Sequence, residues 1–118
     1  MEFEIIFYKD EEGNSPIEEF LLGLARSNRE LVAKTRQGIE KLRNRTYHRE
    51  PLSKHIEPGL WELRIKSEND ILRILYTFEK GQIIILLHIF IKKQQKAPSG
   101  ELEIARQRLK ELKESEMP

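Results

Sequence analysis

The chain contains no cysteine, which excludes disulfides, thiol catalysis and Cys-ligated zinc. That absence fits a reducing compartment, and a cytoplasmic protein is expected. No apolar run approaches the ~20 residues that a membrane-spanning helix needs. The opening Met1-Glu2-Phe3-Glu4 lacks a basic region and a small-residue cleavage site, so no signal peptide is expected. A surplus of either charge is missing too. The 21 basic and 20 acidic side chains leave +1, unlike a histone-like chain or an acidic disordered tail. Phosphate-loop and dinucleotide motifs are absent. His48 and His55 lack metal-ligand spacing, so no cofactor is expected.

What is present is 118 residues, enough for one domain, and a single domain over residues 1–118 is expected. Phe3, Ile5 and Phe7 alternate with their neighbours as a strand does. Ser15-Pro16-Ile17-Glu18 has the pattern of a helix N-terminus, and Ile17, Phe20, Leu21 and Leu24 follow at helical spacing. Ser27-Asn28-Arg29-Glu30 repeats the capping pattern. It predicts a second helix running to about Arg45, with Leu31, Thr35, Ile39 and Leu42 buried. The stretch from Thr46 to Gly59, with Pro51 and Pro58, reads as a loop bearing His48, Arg49, Lys54 and His55. Leu60–Lys66, Ile71–Phe78 and Gln82–Ile91 read as three strands joined by turns at Ser67–Asp70 and Lys80-Gly81. Lys92 to Pro98 leaves the sheet. Ser99 then opens a last helix with an apolar stripe of Leu102, Ala105, Leu109 and Leu112, and the chain is expected to fray from Ser115. The expected fold is α+β, in the order β-α-α-β-β-β-α. It has a mostly antiparallel four-stranded sheet, an N-terminal helical hairpin on one face and a C-terminal helix.

Charge is unevenly spread. Residues 1–25 carry −6, whereas residues 26–54 carry +6, and Lys92, Lys93 and Lys96 form a second basic cluster. Lys34, Lys41 and Arg45 lie along one flank of the second helix. A positive surface assembled from these stretches would attract phosphate.

Turn lengths set a register. A four-residue turn pairs Lys66 with Ile71, which places Arg64 opposite Arg73. A two-residue turn at Lys80-Gly81 pairs Glu79 with Gln82, which places Arg73 opposite His88. Arg64, Arg73 and His88 would then form one row, with Glu62, Lys66, Thr77, Phe90 and Lys92 on the same face. The opposite face would carry Trp61, Leu63, Ile65, Leu72, Ile74, Tyr76, Phe78, Ile83, Ile85, Leu87 and Ile89, a core for the hairpin. Like charges directly opposite destabilise a sheet. An anion is therefore expected at the row, or a carboxylate such as Glu62 offsetting the charge.

Three stretches resemble one family: Gly59-Leu60-Trp61-Glu62-Leu63-Arg64-Ile65, Leu72-Arg73-Ile74-Leu75-Tyr76, and His88-Ile89-Phe90-Ile91-Lys92-Lys93-Gln94-Gln95-Lys96-Ala97-Pro98. Together with Glu101-Leu102-Glu103-Ile104-Ala105-Arg106 they resemble the RelE/HigB-superfamily toxins of bacterial type II toxin–antitoxin pairs, in the phage-derived HigB-like branch. Ile89 and Gln94 depart from the family pattern. The resemblance spans about Phe3 to Leu112. It implies an RNase-like sheet that cradles RNA and ribosome-dependent cleavage of translated mRNA. It also implies a partner antitoxin, expected to be a helix-turn-helix DNA-binding protein. The residues carried over are Arg64, Arg73, Phe90, Lys92, Lys93 and Lys96.

The chemistry such cleavage needs can be matched to residue types. Attack of a 2′-hydroxyl on the adjacent phosphate requires a base, an acid for the leaving oxygen, and cations for the developing charge. Arg64 and Arg73 suit the last role because guanidinium binds phosphate bidentately and stays charged. His88, or Lys92 or Lys93 with a lowered pKa, is a candidate for proton transfer, and Glu62 is a weaker one. Phe90 is a candidate for base stacking. Lys34, Lys41, Arg45, Lys54 and Lys96 are candidates for RNA contact. Arg73, at the centre of the row, is expected to be essential for cleavage and dispensable for folding. The competing readings are inhibition of a protein target such as DNA gyrase, and RNA binding without catalysis.

Overall fold

The computed structural model describes residues 2–92 and 99–115. The expected exit from the sheet does not begin at Lys92, which still belongs to the last strand; Lys93 to Pro98, and fraying at 116–118, lie outside the described residues, and Ser115 is still helical.

Ser15 caps the first helix, α1 (Pro16–Leu24): its hydroxyl accepts the Glu18 N–H at 3.3 Å, and proline occupies a position that needs no donor. The second helix, α2 (Arg29–Lys41), is capped by Asn28 rather than Ser27. The Asn28 side chain accepts the Leu31 N–H at 3.1 Å, while the Ser27 hydroxyl donates back to the Leu24 carbonyl. The helix stops four residues short of Arg45. Asn44 accepts the Thr46 N–H and starts a separate 3₁₀ turn, Arg45–Tyr47. Leu31, Thr35, Ile39 and Leu42 are all buried as expected.

The sheet has five strands: β1 (Glu4–Phe7), β2 (Ser53–Glu57), β3 (Leu60–Lys66), β4 (Ile71–Glu79) and β5 (Ile83–Lys92). Their order is β1-β5-β4-β3-β2, with β1 parallel to β5 and every other pair antiparallel. The expected four strands are present. The additional strand, β2, comes from the stretch read as a loop. Two prolines bracket it, which masked five residues that pair with the first half of β3. The buried Tyr76 hydroxyl donates to the buried Ser53 hydroxyl at 2.9 Å, tying β2 to the core, and burial pushes the phenol up to about 12.

The hairpin of α1 and α2 covers one face, over a core that includes Ile17, Leu21, Leu31, Leu63, Ile74, Tyr76 and Leu86. The third helix, α3 (Ser99–Ser115), covers β5 and β4 on the other face. Its predicted stripe of Leu102, Ala105, Leu109 and Leu112 packs on Leu75, Ile85, Leu87 and Phe90.

The close approach of α2 to β3 depends on Gly38. A Cβ added there would lie 2.4 Å from Cδ1 of the buried Ile65. Gly38→Val is therefore expected to destabilise the fold by about 1–3 kcal/mol, the range for overpacking a dense core. A denaturant titration checks this: the midpoint should fall with the slope unchanged.

The β3–β4 register is the expected one, with Arg64 opposite Arg73. The β4–β5 register is not. The turn has three residues, so Glu79 pairs with Ile83, and Gly81 and Gln82 both take positive φ, at 83° and 61°. A bulge at Leu87 then adds one more residue to β5. The two single-residue shifts together place Phe90 opposite Arg73 and His88 opposite Leu75. They also reverse the faces at the start of β5. Ile84 and Leu86 face the hairpin, while Ile85 and Leu87, expected there, join the core under α3, with Ile83 packed against it.

Candidate functional site

The row across the three strands is Arg64, Arg73 and Phe90, and the row beside it is Glu62, Leu75 and His88. The carboxylate of Glu62 lies between the two arginines. Arg64 Nε donates to Glu62 Oε1 at 2.6 Å, and Arg73 Nη1 donates to Oε2 at 3.3 Å. Glu62 is 0% exposed and Arg73 1%. The like charges expected to repel are thus offset by a buried acid, which is itself tolerated away from water because it is paired with cations. The cluster carries one net positive charge. The Arg64 side chain is 21% exposed, and among the described residues its one side-chain partner is Glu62, at Nε. Of the two arginines it is the one open to a ligand.

His88 is drawn into a different set of interactions. Its Nε2 lies 2.6 Å from Glu101 Oε1, and its Nδ1 lies 3.4 Å from Arg108 Nη1. A carboxylate only accepts, so Nε2 donates, and Nδ1 accepts from the guanidinium. That arrangement is the neutral tautomer. Burial lowers the imidazole below its ordinary 6.5, with Arg108 acting in the same direction and Glu101 opposing. Arg108 also donates to the Leu87 carbonyl at 2.8 Å and lies over the Tyr8 ring, and the Tyr8 hydroxyl donates to Glu111 at 2.6 Å. His88 therefore belongs to the seat of α3.

A pH dependence follows. A histidine whose folded pKa is depressed stabilises the protein above about 6.5, and that contribution is lost as pH falls through 6.5 toward the folded value. Stability measured by denaturant titration should fall between pH 7 and pH 5, and His88→Gln should reduce that fall.

The remaining sequence-predicted residues are dispersed. Phe90 is 4% exposed, within the core under α3 and 5.7 Å from the His88 ring, so it is packed rather than presented for stacking. Lys92 ends β5 opposite Ile71. Lys93 and Lys96 lie outside the described residues. Lys54 is exposed on β2, opposite Glu62. Lys34, Lys41 and Arg45 do not form one surface. Lys34 pairs with Glu30 at 3.7 Å near the β3–β4 turn, and Arg45 borders Glu2 and Arg43. Only Lys41 approaches Arg64.

Lys41 and Arg64 share a cleft of about 480 Å³ with Tyr47, Arg49, Glu50 and Lys66. Sequence reasoning missed Tyr47 and gave no role to Arg49 or Lys66, because the cleft forms only when the 45–52 segment folds against the end of β3. The Arg64 N–H donates to the Leu52 carbonyl there at 2.8 Å. His48 anchors the segment. Its Nε2 donates to the Leu42 carbonyl at 2.6 Å, and its ring packs on Phe3 and Phe78. His55 packs on Trp61, which lies against the hairpin core as expected.

These features define a small α+β domain with a mixed five-stranded sheet, a buried Arg–Glu–Arg cluster and a cationic cleft at the end of β3. The chain belongs to the phage-derived Gp49-like protein family (DUF891), whose family model matches residues 19–110; this is a RelE/HigB-like toxin family. Membership implies a cognate antitoxin partner. No curated protein matches the chain. Among the described residues, no helix is long and apolar enough to cross a membrane.

Proposed function

We propose that the protein is the toxin of a toxin–antitoxin pair and acts as a ribosome-dependent endoribonuclease on translated mRNA, by attack of the 2′-hydroxyl on the adjacent phosphate. The observation that carries this reading is Arg64. Its Nε is held by a buried carboxylate, and the residue lines a cleft together with Lys41, Arg49 and Lys66. A guanidinium fixed in this way is preorganised for the charge that develops on phosphorus. Glu62 and Arg73 act as positioning groups. A carboxylate bound by two guanidiniums is committed to orienting them, which leaves proton transfer to Lys92 or Lys93. His88, engaged at both nitrogens, is the weaker candidate.

Mapping new 5′ ends on translated messages during brief expression tests the proposal. Cleavage within translated reading frames is expected, and it should vanish when translation is blocked beforehand. Intact message with broken DNA would instead identify a gyrase-directed toxin.

A further inference from the structure

We propose that the cleft beside Arg64 is a nucleotide subsite, with the Tyr47 ring stacking a base of single-stranded RNA and Lys41, Arg49 and Lys66 holding the flanking phosphates. The inference rests on the endoribonuclease reading and adds to it a named site for the nucleotide next to the cut. Tyr47 is one of the few large hydrophobic side chains left exposed, at 37%. It closes the 3₁₀ turn Arg45–Tyr47, which Asn44 caps and His48 fastens to the core, so its backbone is held while its ring is presented. Lys41 Nζ lies 5.6 Å from the ring centroid, a cation placed against a π-face.

The composition of the cleft fits RNA better than a protein ligand. Its lining includes four cations, Lys41, Arg49, Arg64 and Lys66, against one carboxylate, Glu50, and one aromatic ring, Tyr47. A charged groove with an aromatic platform is the general arrangement for holding single strands without strict sequence preference. The volume, about 480 Å³, lies within the range of small-ligand sites. Arg64 belongs both to this cleft and to the Arg–Glu–Arg cluster. A strand whose scissile phosphate meets Arg64 therefore has its neighbouring nucleotide at Tyr47.

The test uses the full chain and a fluorescent 2′-O-methyl hexa-adenylate, which lacks the attacking hydroxyl and reports binding alone. Tyr47→Ala is expected to weaken binding roughly 5- to 150-fold, the loss of one base–aromatic stack. Tyr47→Phe should bind within about twofold of wild type. Inorganic tripolyphosphate has no base to stack, so its affinity should be unchanged by Tyr47→Ala and reduced by Arg49→Glu. The Arg49→Glu variant examines the phosphate half of the site without altering the ring. Equal binding of the RNA by wild type and Tyr47→Ala would overturn the proposal. So would failure of wild type to bind it at low salt, or equal losses for RNA and tripolyphosphate in Tyr47→Ala. Message cleavage by wild type is scored separately. A Tyr47-dependent RNA affinity in a protein that cuts no message would retain the subsite and reject the nuclease. Cleavage unaffected by Tyr47→Ala, together with unchanged RNA affinity, would do the reverse.

Discussion

Arg73→Ala is expected to lower stability by about 3–5 kcal/mol, because it removes one of two cations from a fully buried carboxylate. For a chain of this size that corresponds to a fall in Tm on the order of 10–20 °C. This reverses the expectation drawn from the strand pairing alone, in which relief of Arg–Arg repulsion would offset the lost packing. The two arginines are opposite one another, yet Glu62 already removes the repulsion, so truncation leaves a poorly compensated acid. Replacing both members, as Glu62→Met with Arg73→Met, should recover much of the loss, since an apolar pair of similar volume is often as stable as the ion pair. Arg64 can then turn to water, being already partly exposed. Thermal unfolding of the two single variants and the double variant checks this. Additive losses would show that Arg73 and Glu62 are not energetically coupled.

Arg64→Ala is expected to reduce message cleavage by about 10²–10³-fold while leaving the protein folded. Glu62 retains Arg73 in this variant, so the buried charge keeps a partner. The side chain removed is the partly exposed one, from a residue that lines the cleft. The comparison is wild type against Arg64→Ala, scored for new 5′ ends and for the melting transition. Full cleavage by a folded Arg64→Ala protein would remove the phosphate-holding role from this residue. Arg64→Lys should remain well below wild type, because a point charge cannot reproduce a fork held at Nε by the acid.

The Arg64–Arg73 pairing was legible because a four-residue turn and clean alternation in β3 leave one register that buries Leu63, Ile65, Leu72 and Ile74 together. The role of Glu62 followed from the same pattern, as the acid that a like-charged row requires. The position of His88 did not, because β5 is apolar nearly throughout and its alternation carries no information about which face a residue takes. One extra turn residue and one bulge then go unseen, and each moves the partner by one. The cleft at Tyr47 was illegible for another reason. Its residues come from the end of α2, the 45–52 segment and the end of β3, and no local periodicity relates them. The dispersal of Lys34, Lys41 and Arg45 has the same origin: α2 ends at Lys41, so Arg45 no longer continues its flank.

The pairing of β1 with β5 has a consequence for how the chain assembles. Glu4 lies beside Ile83, so the first strand of the sheet waits for its last one, whereas β3, β4 and β5 are joined by turns of a few residues. Closing the long loop costs more entropy than closing the short ones, and local pairings form sooner. The meander that carries Glu62, Arg64 and Arg73 is therefore the part able to organise early, and β1 joins as a late clasp along its edge. A chain still being translated holds that clasp open until β5 has emerged, so β1 cannot take its place in the sheet before then.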